Sequence, residues 1–183
     1  NYHYIREDFS APFPSIFGLT PQQFKSQLQK LSSFLDFVHP SDLLRNPEEH
    51  ILSNKNYGLI TFDDGLKEQM NLALPILNEL GIHAIFFVIS INFQEEKVST
   101  IHKNHLVRSK ISSMDLWESI IDIFGSNCIS ESEKRFAIAH YNFDDELTAC
   151  LKYFMSYKLS LDDFNGFIES SFLLILETKK AFP

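Results

Sequence analysis

The chain reads as an α/β fold whose second half is helical, and three observations predict it. A strand-length apolar run at 57–62 is followed by an amphipathic stretch at helical spacing and by a second apolar run at 83–89, the order of a parallel βαβ unit. Gly81 stands directly after the amphipathic stretch, where a helix stops. From 113 to 176, apolar residues recur at helical spacing without a clear strand. Two regions of one domain follow: an α/β part over 1–95 and a mainly helical insertion over 96–183.

The first five residues, with Tyr2, His3, Tyr4 and Ile5, have strand composition, and 9–17 is irregular, rich in Pro and Phe. Thr20 caps a helix that has Pro21 at its first position and Phe24, Leu28, Leu31 and Leu35 at helical spacing. Phe37, Val38 and His39 suit a short strand, Pro40 opens a helical turn, and 46–56 is a polar connector. The strand 57–62 comes next. The helix 67–80 presents Met70, Leu74, Leu77 and Leu80 on one side, with Pro75 as a kink or local irregularity. The run 83–89 is continuous, the pattern of a strand buried on both faces. Three helices complete the chain: one with Met114, Trp117, Ile120, Ile121 and Phe124, one opened at 143–147 and carrying Leu151, Phe154 and Met155, and one over 161–176 with Phe164, Phe167 and Ile168.

Composition narrows the function classes. With 183 residues, 44% of them hydrophobic and 22% charged, the chain can bury a full core. A net charge of -8, with no basic stripe, argues against a nucleic-acid partner. Cys128 and Cys150 lack CxxC spacing and suggest neither a zinc knuckle nor a disulfide framework. The longest apolar stretches, 84–91 and 172–176, fall well short of the roughly 20 residues that a membrane span needs. No signal-peptide pattern opens the chain, and Asn1 in place of Met suggests that it is not the native start, so cytoplasm and cell envelope both stay open.

The most informative stretch is Thr61-Phe62-Asp63-Asp64-Gly65. Asp is a poor strand residue and adjacent carboxylates repel, so propensity gives no reason for the pair. In a parallel βαβ unit, chemistry gathers at the C-terminal ends of strands, where Asp63 and Asp64 fall. The plainer reading makes Asp64 a cap for the helix beginning near Leu66. Likewise, His102 and His105 read first as hydrogen-bonded histidines, His3 as a structural strand residue, Trp117 as packing, and the 18 phenylalanines as core.

The TFDDG motif, the helix ending in Leu80-Gly81-Ile82 and the strand 84–88 together resemble the first motif and βαβ core of the polysaccharide deacetylase family, the NodB-homology or carbohydrate esterase 4 group. The opening Tyr2-His3-Tyr4-Ile5-Arg6, the stretch 18–24, the His-Lys-x-His within 98–109 and the piece at 141–146 are similar to a subset that carries a helical insertion. The resemblance implies a deformed (β/α) NodB-like barrel, incomplete in this chain. It implies a hydrolase that removes acetyl groups from a polysaccharide or glycoconjugate. On the same ground Asp63 is the general base and Asp64 a ligand of a divalent metal, zinc by preference, and Thr61, Phe62 and Gly65 shape the motif. A metal with an open position polarises the acetyl carbonyl and acidifies a bound water, and its charge explains the paired acids.

This chain departs from the family's pattern where the metal histidines are concerned. His102 and His105 are the candidates, but two residues separate them in place of the family's three. The resemblance places the true His motif, an Arg motif and a late His acid after the insertion, beyond Pro183. His3 is the candidate substrate-pocket residue, since it lies on the first strand at the barrel mouth. Two other classes stay open: a non-catalytic or truncated deacetylase-like module that binds a glycan or partner, and a magnesium-dependent phosphoryl-transfer or receiver-like α/β domain. The latter needs a further Asp at another strand end.

Overall fold

The computed structural model describes residues 1–9, 18–95 and 97–178, so most of the predicted irregular stretch at 9–17 lies outside the described residues. The chain divides into two compact units, one built mainly from 1–97 and one mainly from 98 onward.

In the first unit, α1 (Pro21–Leu31) begins as its sequence predicts. Thr20 Oγ1 accepts from Gln23 N, Gln23 Oε1 accepts from Thr20 N, and Pro21 occupies the first turn. Its inward side chains, Phe24 and Leu28, are fully buried against Ile5, Ile60, Phe62 and Leu77. The helix stops at Leu31, so Leu35 lies beyond the predicted stripe. β1 (Asp36–Phe37) leads into α2 (Pro40–Arg45), where His39 caps the helix by accepting from Ser41 N at 3.0 Å. The predicted connector 46–56 contains another helix, α3 (Pro47–Ile51). Its signal is the one that opens α1 and α2, a proline at the first helical position.

The predicted strand 57–62 divides in two because its halves have different partners. β2 (Tyr57–Gly58) runs parallel to β1, and β3 (Ile60–Phe62) runs parallel to β4 (Ala84–Phe86), with Ile60 opposite Ala84 and Phe62 opposite Phe86. The N-terminal segment adds to β3 through a parallel bridge between Tyr2 and Phe62, while Ile5 bridges Leu19. These are isolated bridges, not the regular strand that the composition of 1–5 suggests. β4 is shorter than the predicted run and only half-buried, and Phe87 and Val88 are more than half exposed. Among the described residues no further strand pairs with β4, so it cannot be covered as an interior strand of a parallel sheet is. The strands make two open pairs, and no closed barrel forms among the described residues.

Between β3 and β4 the chain crosses over through a helix whose first part is wound as a π segment, Gln69–Ala73, before α4 (Leu74–Leu80). Leu74 N donates to Gln69 O, and Pro75, which has no N–H to give, follows immediately. The wider turn rotates the register of the side chains. Met70, expected on the packed side, is half exposed, whereas Gln69, Ala73 and Leu77 are buried. Gly81 ends α4 at φ 66°, the left-handed C-terminal conformation that its position predicts. A short helix, α5 (Ser90–Gln94), follows β4.

The second unit is helical: α6 (Thr100–Lys110), α7 (Ser113–Phe124), α8 (Glu131–His140), α9 (Glu146–Tyr153), which continues into a π turn at Phe154–Lys158, and α10 (Leu161–Thr178). Ser99, Ser112, Ser130 and Asp145 cap α6 to α9 with side-chain oxygens. Leu151, Phe154, Met155, Phe167 and Ile168 pack into its core as the spacing predicts. The stripe on α7 is shifted: Leu116 and Ile120 are buried, while Met114 is more than half exposed. Among the described residues no helix is long and apolar enough to cross a membrane.

Candidate active site

The C-terminal end of β3 carries the acidic pair into a tight turn. Asp64 has φ 77° and Gly65 φ 65°, so two successive residues occupy left-handed backbone. Asp tolerates this region better than most residues, at a strain of about 1–3 kcal/mol. Gly65 has a second constraint, since a Cβ there would come within 3.0 Å of Val88 Cγ1 and 3.3 Å of Val88 Cα. The turn therefore packs against the chain leaving β4, and only glycine fits.

His3, on the neighbouring N-terminal segment, faces both acids. Its Nδ1 lies 3.2 Å from Asp64 Oδ2 and its Nε2 3.8 Å from Asp63 Oδ2. Asn1 Nδ2 donates to Asp63 Oδ2 at 2.7 Å, and Thr61 Oγ1 donates to Asn1 Oδ1 at 3.0 Å. The acids differ in access: the Asp64 side chain is 11% exposed and that of Asp63 37%. Asp63 is thus the carboxylate that solvent water can reach, while Asp64 is held inward. Phe62, fully buried, anchors the strand end by stacking on Phe86 at 4.9 Å and meeting Phe24 edge-on at 5.7 Å.

Gln69 braces this arrangement from below. It is completely buried, and its Nε2 donates to His3 O at 2.9 Å and to Asp63 O at 2.6 Å, while its Oε1 accepts from Leu66 N at 3.2 Å. One side chain thus joins the backbones of the first segment, the acidic turn and the crossover helix. Arg6 adds a second tie, with Nε donating to both carboxylate oxygens of Glu68 at 2.9 and 3.0 Å and the guanidinium lying over the Tyr4 ring.

Neither Asn1 nor Gln69 emerges from the sequence reading. The i, i+4, i+8 spacing of Gln69, Ala73 and Leu77 is the signal for the glutamine, a polar residue on the stripe that packs inward. For Asn1 the sequence offers no comparable sign. The two other histidine candidates lie on α6 in the helical unit, where His102 and His105 stand about one turn apart with ring centroids separated by 6.3 Å. Among the described residues, no three His, Cys, Asp or Glu side chains are grouped to hold a metal ion.

Comparison with known proteins bears on this geometry. Residues 52–118 match the family described as polysaccharide deacetylase, a stretch that includes TFDDG, the βαβ unit and both α6 histidines. Among solved structures, the Streptococcus pyogenes deacetylase PplD in complex with acetate is similar at 20% identity and a TM-score of 0.39, over 87% of this chain and 80% of that one. No curated protein matches the chain. The family match thus covers about a third of the chain, residues 52–118, and includes both strand-end carboxylates.

Proposed function

We propose that the end of β3 is the reaction centre of a hydrolase that removes acetyl groups from the sugars of a polysaccharide or glycoconjugate, within a NodB-like (β/α) scaffold. The observation that carries this reading is the strained TFDDG turn, which presents an accessible Asp63 beside an inward Asp64 inside the segment that matches the deacetylase family. The family match supports a hydrolase acting on C–N bonds.

Asp63 acts as general base. It accepts a proton from the water that attacks the acetyl carbonyl carbon; the C–N bond then breaks, the acyl group leaves as acetate and the sugar nitrogen takes up a proton. Asn1 fixes the carboxylate by donating to one oxygen, leaving the other for water. His3 borders both acids and contacts the sugar at the mouth of the site. A divalent metal, zinc by the resemblance, supplies carbonyl polarisation in this chemistry. Asp64 is the carboxylate of the α/β unit that would hold such an ion. The described residues do not by themselves assemble the three protein ligands that such a centre normally needs.

The test pairs two substitutions in the chain as it stands, with zinc titration and acetate release from an N-acetylglucosamine oligosaccharide as readouts. Asp63→Ala is expected to keep zinc affinity and lower turnover by roughly 10²–10⁴. Asp64→Ala is expected to abolish zinc affinity. Equal zinc retention in both variants would overturn the division of roles, and undiminished acetate release by Asp63→Ala would overturn the base.

A further inference from the structure

The helical unit holds a cavity of about 630 Å³, within the range of small-molecule sites, whose lining residues all belong to that unit. Asn104 and Arg108, four residues apart on α6, share the face that borders it; Tyr141, just past the end of α8, and Lys152 of α9 line it too, and Phe164 of α10 supplies an aromatic wall. The charge is unbalanced. Lys152 is ion-paired with Asp144 and lies 5.5 Å from the centre of the Tyr141 ring. Among the described residues Arg108 makes neither an ion pair nor a hydrogen bond, although its side chain is partly buried. Burial pulls its pKa below the ordinary value, with Asp144 and then Tyr141 partly offsetting the shift. Asn104 Oδ1 is buried without a hydrogen-bond partner among the described residues, a position that calls for a donor.

We propose that this cavity binds a small hydroxylated anion, a sugar acid or a sugar phosphate. Its anionic group meets Arg108, a hydroxyl or amide N–H donates to Asn104 Oδ1, and the apolar face of its ring lies against Phe164. Each feature answers one part of such a ligand. The guanidinium fork suits a carboxylate or phosphate, the orphaned amide oxygen suits a hydroxyl, and an aromatic wall suits the C–H face of a pyranose. A neutral apolar ligand would leave the guanidinium and Asn104 unanswered. The inference does not depend on the deacetylase reading.

Calorimetric titration of the chain with glucuronate, glucose 6-phosphate and glucose tests it, beside Arg108→Gln, Asn104→Ala and Lys110→Gln. Lys110 is an exposed cation on α6 outside the cavity lining. Binding of either anion in preference to glucose is expected, and the stronger of the two identifies the anionic group. Arg108→Gln should weaken it roughly tenfold or more. Asn104→Ala should weaken it severalfold, and Lys110→Gln should leave it unchanged. Circular dichroism melts establish that the variants fold; if Arg108→Gln does not, the Asn104→Ala comparison carries the decision. Equal binding of glucose, no binding of either anion at millimolar concentration, or equal loss in Arg108→Gln and Lys110→Gln would overturn the proposal.

Discussion

The two units of this chain solve the problem of ordering a backbone in opposite ways. In the helical unit, helix starts follow local preference: hydroxyl or carboxylate caps open four helices, apolar residues line the interior, and Ser130 with Glu133 closes a capping box. In the α/β unit, local preference is overruled at one place. Within seven residues, an Asp adopts left-handed backbone, a glycine touches Val88, and a glutamine is buried at the start of a π turn. Breaches of local rules that cluster in space mark positions selected for something other than stability.

The largest test of this contrast is Gln69→Leu. It leaves two buried carbonyl contacts and the Leu66 N–H unanswered, so a loss of about 2–4 kcal/mol in urea unfolding is expected, with faster amide exchange at Tyr2 and Asp63. A loss below the range typical of an exposed substitution would mean that the brace is dispensable. Gly65→Ala comes next, at about 2–3 kcal/mol from positive φ and the Val88 contact together. Asp64→Gly should act in the opposite direction. Relief of backbone strain is expected to raise stability by about 0.5–1 kcal/mol while the proposed zinc affinity disappears. If stability falls instead, Asp64 is a structural residue and the contrast between units weakens.

The smallest expected effect belongs to the helical unit and reads out in pH. The Lys158 ammonium, and then the Ser130 N–H and hydroxyl, hold the Glu133 carboxyl down to about 2 from its ordinary 4.5. A depressed carboxyl contributes stability above its unfolded value and loses it as pH falls through the folded one. The contribution should therefore be complete above pH 4.5 and vanish toward pH 2. Comparison with Glu133→Gln across that window isolates the effect; parallel acid-unfolding curves would show that this surface pair adds nothing measurable.

Legibility in the sequence followed the same division. Caps, prolines at helix starts, Gly81 and the βαβ order could be read because each acts through its nearest neighbours, and the acidic pair stood out because it contradicted its setting. What escaped depends on contacts distant along the chain. The division of 57–62 is decided by pairing with residues 36–37 and 84–86, and no local pattern encodes a choice of partner. The wider helical turn at Gln69–Ala73 shifts later positions off the 3.6-residue repeat, so Met70 does not share the inward side with Leu77. The missed helix at 47–51 was legible after all, from the proline that opens it.

The backbone of Asp63 has a consequence for any ligand that arrives there. The Asp63 N–H is spent on Tyr2 O at 3.1 Å, and its carbonyl oxygen is taken by Gln69 at 2.6 Å. The peptide groups on both sides of Asp63 are each tied by one hydrogen bond, so the two carboxylates start from fixed points on the backbone. Much of the orientational entropy that a flexible pair of acids would lose on meeting a substrate has already been lost when the chain folds.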